Sequence, residues 1–342
     1  MPATDTTQPA DPNVSLPEPV LRFLRAHGLA SLDESPLAAA LPGGVSSDIW
    51  RVELRSGPIC VKRALPRLRV PQLWEAPVER NTYEHRWMQA ASLAVPGIAP
   101  QVLAHDAAGL FAMEYLDGAV HRLWKEELRA GRADTGAARA VGERLARVHA
   151  ATARREEVAR RFATDAGFHA IRLEPYLLAS ARVHPALAPA LEALARRTAR
   201  TRIALVHGDV SPKNILIGPG GPVFLDAECA WYGDPAFDLA FVLNHLLLKC
   251  LWTPRASAAF LACFDALAAA YLGGVTWEPV RELEARAASL LPGLLIARVD
   301  GKSPVEYLSR AADQERVRRI AGALLVAPAA TLAQVRDAWR KS

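Results

Sequence analysis

The chain has few of the residues that build disulfide frameworks or zinc sites. It contains only 4 cysteines in 342 residues, and no two of them form a CxxC pair or have a histidine nearby at zinc-ligand spacing. Scattered cysteines of this kind are typical of a reducing compartment, so we expect a cytoplasmic protein in which they are small buried apolar residues. The sequence also contains no repeat with a period of roughly 20–50 residues, which excludes solenoids and propellers.

Signals for secretion, membrane insertion and nucleic-acid binding are missing as well. Residues 1–15 have neither the basic nor the apolar segment of a signal peptide, so we expect a disordered tail. The most apolar long window, Ala256–Val275, is mostly alanine and contains Asp265, which predicts a core helix and no membrane partner. The net charge of +5 comes from arginines scattered over helices rather than from basic runs interleaved with aromatics, so we expect no nucleic-acid partner.

What is present is a globular composition, with 51% hydrophobic and 23% charged residues, and a first third that changes character over short distances. Polar and apolar residues alternate over Asp48–Leu54, and a second apolar run, Ile59–Lys62, follows the turn residues 55–58. This pattern predicts a β-hairpin. Residues 77–92 read as a helix and Gly109–Tyr115 as another strand.

Beyond Gly118 the chain is rich in alanine and arginine with helical periodicity. Helices are predicted at residues 136–150, 154–162 and 186–200 and over most of the chain beyond 238. Two short apolar runs, Ile203–Val206 and Val223–Leu225, flank a Gly/Pro-rich turn, and we predict that they form a small hairpin.

These patterns predict an α+β fold in which a small antiparallel-sheet lobe precedes a larger, mostly helical lobe. The predicted organisation is a tail at 1–15, an N-terminal lobe at 16–117 and a C-terminal lobe at 118–342.

The segment from His207 to Glu228 contains an ordered set of polar residues. Asp209 is followed five residues later by Asn214, and Asp226 comes at the end of a short apolar run. Such a set suits phosphoryl transfer, because one carboxylate can accept the proton of a hydroxyl while an amide and a second carboxylate supply oxygen ligands to magnesium. Single Asp and Asn residues in loops are usually caps or turn residues, so it is the ordered set that favours this chemistry.

The residues around this set resemble the aminoglycoside phosphotransferase/choline kinase superfamily. The resemblance rests on His207-Gly208-Asp209, Asn214, Asp226 and the segment Gly233–Ala240. Within the superfamily the chain is most similar to the methylthioribose kinase branch, through residues 61–84 and the arginine-rich residues 316–322. The resemblance implies a protein-kinase-like bilobal fold that binds ATP and Mg²⁺ in its cleft.

The resemblance also implies a role for each matching residue. Asp209 would be the catalytic base, and Asn214 and Asp226 would bind magnesium. Asp238 would brace the catalytic loop rather than take part in the chemistry, and His207 would pack or hydrogen-bond beneath that loop.

A lysine and a glutamate of the first lobe would act on the nucleotide. Lys62 would pair with the nucleotide phosphates, although an exposed strand lysine is the simpler interpretation of this residue alone. Glu84 would orient Lys62; Glu79 competes for this role, and we prefer Glu84 because Met88, one turn later, gives its helix face an apolar anchor.

The nucleotide-binding loop departs from the protein-kinase pattern, since it has no Gly-x-Gly-x-x-Gly. Its glycines and serines could still present N–H groups to phosphate oxygens, although Gly-Gly-x-Ser is also an ordinary turn. The predicted loop residues are Gly43, Gly44, Ser46 and Ser47, and the predicted interlobe hinge, whose backbone would meet the adenine, contains Glu114 and Tyr115.

The acceptor is the least determined part of the prediction. Gly208 stands where protein kinases have arginine, and the short segment after Asp226 favours a small hydroxylated substrate over a protein. Residues assigned to the acceptor are Arg318, Arg319, Glu228 and Trp231, with a helix-surface arginine pair as the alternative for the first two.

The sequence therefore predicts an ATP- and magnesium-dependent O-kinase for a sugar-like metabolite, acting as a monomer or homodimer. Choline or ethanolamine kinase, aminoglycoside kinase and a catalytically inactive nucleotide-binding regulator remain as alternatives.

Overall fold

The computed structural model describes residues 14–41, 47–65 and 79–341. The chain divides into two compact units, the first formed by residues 1–89 and 100–117 and the second by residues 90–99 and 118–342. Residues 90–99, which the sequence placed in the first lobe, belong to the second unit. There the Ile98 carbonyl accepts a hydrogen bond from the Phe224 N–H at 2.7 Å, and the Gly97 carbonyl accepts one from Arg144 at 2.9 Å.

In its described residues, the first unit contains a six-stranded antiparallel sheet, one whole helix and residues 80–89 of a second helix. The strands are β1 (Val14–Ser15), β2 (Leu37–Ala40), β3 (Ser47–Leu54), β4 (Gly57–Ala64), β5 (Val102–His105) and β6 (Leu110–Glu114), and the helices are α1 (Glu18–Ala26) and α2 (Arg80–Ala94). The strand order is β1-β2-β3-β4-β6-β5. Of the predicted N-terminal tail, residues 1–13 lie outside the described residues, whereas Val14 and Ser15 pair with β2.

The predicted hairpin is confirmed as β3 and β4, with Ile49 opposite Lys62. Along β3 the buried residues Trp50, Val52 and Leu54 recur at every second position, so one face of the strand meets the core. Helix α1 was not predicted; its buried residues Val20 and Phe23 join the same core cluster.

The second unit is mostly helical. Its helices are α3 (Trp124–Arg129), α4 (Thr135–Thr152), α5 (Glu156–Arg161), α6 (Asp165–Phe168), a π-helix (His169–Leu178), α7 (Ala179–Val183), α8 (Ala188–Arg200), α9 (Ala236–Trp252), α10 (Ser257–Gly273), α11 (Val280–Asp300), α12 (Ala311–Val326) and α13 (Leu332–Lys341). Short 3₁₀ turns lie at Pro212–Asn214 and Pro254–Ala256. The predicted fold class, a small antiparallel sheet followed by a larger helical part, is confirmed.

The described residues of the second unit also form five short strands, whose pairing corrects one prediction. They are β7 (Arg122–Leu123), β8 (Ala204–Val206), β9 (Ile215–Gly218), β10 (Gly221–Phe224) and β11 (Trp231–Gly233). Strand β8 pairs with β11, and β9 pairs with β10, so the predicted hairpin between 203–206 and 223–225 is wrong. Gly218 lies opposite Gly221, so a two-residue turn closes a local β9–β10 hairpin, which costs less chain entropy than the longer loop we expected.

Helix α10 covers most of the apolar window singled out in the sequence. By length and composition alone, Pro254–Gly273 could cross a membrane. In the structure the helix packs on α4 and α9 and buries Phe260 and Leu267, while the Asp265 carboxylate pairs with Arg336 at 2.5 Å. These contacts are those of a packed helix of the fold, as predicted.

Candidate active site

The loop after β8 is held by the first turn of α9. The Asp238 carboxylate is fully buried and accepts hydrogen bonds from the N–H groups of His207 at 2.7 Å and Gly208 at 2.8 Å. His149 Nε2 contacts the same carboxylate at 3.2 Å. The expected bracing role of Asp238 is therefore confirmed, and the backbone that leads into Asp209 is held at two successive N–H groups.

His207 is part of the framework beneath this loop. Its ring is fully buried; Nε2 lies 3.1 Å from the Leu225 carbonyl, and Nδ1 accepts the N–H of Asp209 at 3.1 Å. A ring that accepts at Nδ1 and donates at Nε2 is neutral. Burial lowers the pKa of His207, which favours the same state, and the two ring contacts are the hydrogen bonds expected beneath this loop.

Three donors converge on the Asp209 carboxylate. Its Oδ2 accepts from Asn214 Nδ2 at 2.9 Å and lies 3.1 Å from the Arg172 guanidinium and 3.2 Å from the Lys213 ammonium. Burial raises the pKa of Asp209, but the Lys213 and Arg172 charges outweigh it, so this pKa lies below its ordinary value. The carboxylate is therefore ionised at neutral pH and can accept a hydrogen bond from a hydroxyl.

Arg172 is a site residue that sequence reasoning missed. It lies on the π-helix, where Pro175 lacks an N–H, and the residue is 8% exposed. Its Nε donates to the Gly208 carbonyl at 2.5 Å, while its terminal nitrogen faces Asp209. Among so many helical arginines no sequence signal marked this one; only the π-helix geometry brings it to the loop.

Gly208 adopts a conformation and a position that exclude a side chain. Its φ is +80°, and a Cβ there would lie 2.7 Å from the Cys229 carbonyl oxygen. The backbone of the loop can therefore run against Cys229 only with glycine at this position.

The two predicted magnesium ligands lie on segments joined by a hydrogen bond. Leu225 N–H donates to the Asn214 carbonyl at 2.9 Å, and Asp226 follows in the left-handed region with φ +64°. The Asn214 amide nitrogen is engaged with Asp209, so its Oδ1 is left to accept or to ligate. The charge of Asp226 opposes the ionisation of Asp209, which places both carboxylates in one cluster.

These oxygens fit magnesium, which prefers hard oxygen ligands and is typically bound by one or two protein side chains together with phosphates and water. Within the residues that the structure describes, no three His, Cys, Asp or Glu side chains form a group that could hold an ion by themselves. Asn214 and Asp226 would thus be two of the magnesium ligands, and phosphate and water oxygens would supply the others.

In the first unit, Lys62 and Glu84 form a buried ion pair. The Lys62 ammonium on β4 lies 2.6 Å from the Glu84 carboxylate on α2, and both side chains are at most 3% exposed. Glu79, the competing candidate, is exposed at the start of α2. The structure thus pairs the predicted lysine with the preferred glutamate.

The other predicted nucleotide contacts are only partly covered. Gly43, Gly44 and Ser46 lie outside the described residues. Ser47 begins β3 and is buried, and its hydroxyl has no hydrogen-bond partner among the residues described. Glu114 ends β6, where its N–H donates to the Gln101 carbonyl at 2.9 Å, and the Tyr115 ring carries the Arg51 guanidinium 4.7 Å from its centroid.

The four residues assigned to the acceptor are not brought together by the contacts that the structure gives them. Arg318 forms a salt bridge with Asp300 at 2.8 Å, and Arg319 is exposed on α12. Those contacts favour the alternative interpretation, a helix-surface pair.

Trp231 and Glu228 have other surroundings. Trp231 is buried, stacks on Phe168 with ring centroids 4.2 Å apart and donates its indole N–H to Asp165 at 3.0 Å. Glu228 is half-buried, and its charge acts on Arg172. We therefore leave Arg318, Arg319 and Trp231 out of the acceptor site proposed below.

Comparison with known proteins agrees with this picture. Residues 38–252, more than half of the chain, match the phosphotransferase enzyme family. A methylthioribose kinase of Yersinia pseudotuberculosis is 31% identical over 217 residues, which cover 56% of this chain and 53% of that protein. The chain thus spans about half the length of the curated relatives it matches.

Two solved structures are similar in fold. An ethanolamine kinase of Plasmodium vivax aligns over 96% of this chain and 92% of its own with 15% identity and a TM-score of 0.54. A choline kinase of Cryptosporidium parvum aligns over 90% and 96% with 12% identity and a TM-score of 0.55. Together with the loop geometry and the match over residues 38–252, these findings confirm the resemblance predicted from the sequence: the chain belongs to the phosphotransferase enzyme family.

Proposed function

We propose that this chain is an ATP- and magnesium-dependent O-kinase that transfers the γ-phosphate to a hydroxyl of a small, sugar-like metabolite. The observation that carries the proposal is the Asp209 carboxylate, buried on a loop that Asp238 braces and surrounded by three donors. The similarity to methylthioribose kinases supports a sugar-like acceptor.

In this proposal Asp209 orients the acceptor hydroxyl and takes its proton. The O–H bond breaks as the acceptor oxygen bonds to the γ-phosphorus, the bond between that phosphorus and the bridging oxygen breaks, and ADP leaves. Asn214, Arg172 and Lys213 hold the carboxylate in place for this step. Because they act as donors, they also stabilise its ionised form.

The remaining residues bind the nucleotide and its metal. Asn214 and Asp226 supply oxygen ligands to magnesium, which neutralises phosphate charge when it is bound. Lys62 contacts the phosphates, and Glu84 holds the Lys62 ammonium at 2.6 Å. We propose the same nucleotide role for Gly43, Gly44, Ser46 and Ser47, and an adenine contact for Glu114 and Tyr115.

The alternatives have less support. A catalytically inactive regulator would be expected to lack the lysine, the base or a metal ligand, and this chain has Lys62, Asp209, Asn214 and Asp226. A choline or ethanolamine kinase would use an accessible aromatic cage, and Trp231 is buried in a stack with Phe168.

The four cysteines are free and buried, which supports a reducing compartment, and we propose a cytoplasmic protein that acts as a monomer or homodimer.

Replacing the base tests the proposal. Asp209→Asn should lower turnover by at least about 10²-fold, the usual scale for loss of a general base, while ATP affinity changes little. The measurement is steady-state ATP consumption with an acceptor found by screening sugars, sugar acids, amino alcohols and aminoglycosides. Asp265→Asn is the matched control, since it also removes a carboxylate paired with an arginine. Turnover at the level of this control would eliminate Asp209 as the base.

A further inference from the structure

A small cavity in the second unit lies against the catalytic loop. Its volume is about 30 Å³, room for a water or a carboxylate but not for a whole metabolite. Its walls come from the loop, from α3, α9 and α11 and from the segment that follows α11, and they include Ser211, Lys213, His245, Lys249 and Arg298. Lys213 lines the cavity and also contacts the proposed base, since its ammonium lies 3.2 Å from Asp209 Oδ2.

The lining of this cavity is strongly cationic. Four basic side chains, Lys125, Lys213, Lys249 and Arg298, face one carboxylate, Glu306. That carboxylate is already paired with Lys125 at 2.6 Å. A concave site lined by one sign of charge attracts the opposite charge, so the cavity is suited to an anion.

Lys249 is the most unusual member of the lining. It is only 2% exposed, and its ammonium lies 3.7 Å from the centroid of the Trp252 ring and 4.0 Å from that of Tyr307. In the described part of the chain this ammonium has no hydrogen-bond acceptor and no ion pair. Burying a cation without an acceptor costs folding free energy, and an anionic ligand would supply what is missing.

Within the described residues, two further donors of the lining have no hydrogen-bond partner. They are the hydroxyl of Ser211, a fully buried residue, and the Nε of Arg298, a residue that is 9% exposed. Buried polar atoms are nearly always paired, so unpaired donors that line one cavity indicate a ligand with acceptor atoms. A carboxylate presents two oxygens that accept such bonds.

The same geometry disfavours a cationic acceptor. The Trp252 and Tyr307 rings stack with centroids 4.5 Å apart, and the Lys249 ammonium lies on both of them. A quaternary ammonium group would have to displace that side chain and would meet three other cations.

We propose that this cavity binds a carboxylate of the acceptor, so that the metabolite phosphorylated is a hydroxylated acid rather than a neutral sugar or an amino alcohol. This assignment rests on the proposed kinase function, whereas the binding of a carboxylate in the cavity does not.

The first experiment compares acceptors in matched pairs that differ in a carboxylate. ATP consumption is measured with glycerate against glycerol and with gluconate against glucose. The carboxylate member of at least one pair should have a kcat/KM at least about 10-fold higher, which corresponds to one good charged contact. Lys249→Met should remove most of this preference through KM, whereas Lys302→Met, which removes an exposed lysine paired with Glu174, should retain it.

Equal kcat/KM values within both pairs would overturn the proposal, as would an equal loss of the carboxylate preference in the two lysine variants.

A second measurement tests carboxylate binding independently of the kinase function. It is the rise in unfolding temperature that gluconate produces without ATP, which should saturate with gluconate concentration. A rise in the wild type that is lost in Lys249→Met supports the carboxylate site even if no acceptor is phosphorylated; no rise, or the same rise in both, overturns it. If Lys249→Met instead abolishes stabilisation by Mg·ATP, the cavity serves the nucleotide phosphates and the acceptor assignment is wrong.

Discussion

At the scale of single residues, the Asp209 carboxylate is held by three donors whose sequence separations from Asp209 differ greatly. Asn214 and Lys213 lie within five residues of it, so their contacts follow from a short loop. Arg172 lies 37 residues earlier and reaches both Asp209 and the preceding carbonyl with one guanidinium. Because the group is planar and rigid, it restrains the carboxylate relative to the backbone.

Arg172→Lys tests this restraint. Lysine keeps the charge but cannot make both contacts at once, so kcat should fall by about 10-fold or more while the KM for ATP is unchanged. Steady-state kinetics and Mg·ATP thermal shifts measure the two effects separately. The control is Arg182→Lys, an exposed arginine that pairs with Glu174. A fall in stability with kcat intact would assign Arg172 a purely structural role.

The metal assignment depends on Asp226. Asp226→Ala should abolish the magnesium-dependent stabilisation by ATP, and Lys62→Ala should weaken it. ATP at 100 times its dissociation constant stabilises the folded state by about 2.7 kcal/mol, so the loss of the thermal shift should be easy to measure. Unchanged shifts in both variants, with Asp265→Ala as the reference, would mean that the nucleotide residues are misassigned.

At the scale of elements, the site is built from strand ends and one helix start. The proposed catalytic loop follows β8, Asp226 follows β10, and Asp238 belongs to the first turn of α9. The loop backbone can follow its course only because Gly208 adopts φ +80° beside Cys229.

Gly208→Ala should therefore lower the free energy of unfolding by at least about 1–2 kcal/mol, since a left-handed conformation alone costs that much for a residue with a Cβ. Turnover should fall with it, because the loop carries Asp209. Urea denaturation and kinetics are the measurements. Gly167→Ala is the matched control, because a Cβ there meets nothing within 4 Å and alanine favours its helix. A Gly208→Ala variant as stable as this control would contradict the tight packing against Cys229.

At the scale of the whole molecule, Lys249 couples global stability to pH. Burial lowers the pKa of Lys249 to about 7. The charges of Lys125 and Arg298 also lower this pKa, whereas those of Glu306 and Glu126 raise it. Lys213 and His245 also line the cavity that this ammonium faces, and burial lowers the pKa of His245 too, so the imidazole adds no charge at neutral pH. In the unfolded chain the lysine titrates near its ordinary value of 10.5.

Between pH 7 and about 10.5 the unfolded state therefore binds more protons than the folded state, so this group makes stability rise with pH. Lys249→Met removes the burial cost and should be more stable than the wild type by a few kcal/mol at about pH 6–7. The difference should shrink as pH approaches about 10. The free energy of unfolding of both proteins is measured by urea denaturation at each pH, and the contributions of the other titrating groups cancel in the difference between them. A difference that is constant over this range would mean that Lys249 is not a buried cation.

The sequence by itself determined the features that depend on neighbouring residues. Alternating residues predicted the β3–β4 hairpin, and helical periodicity predicted α4 and α8. The compact set of Asp209, Asn214 and Asp226 indicated the loop that we propose to be catalytic. These signals are local, because a hydrophobic period or the spacing of polar residues can be recognised within a segment of a few to about 20 residues.

Only the tertiary structure decided which distant groups meet. It paired β8 with β11 and Lys62 with Glu84, brought the π-helix arginine to Asp209, and turned Trp231 into the core. The cationic cavity is of the same kind, since Lys125, Lys249 and Arg298 come from three helices far apart in sequence. No periodic pattern records such contacts, because they arise from the packing of whole elements against one another.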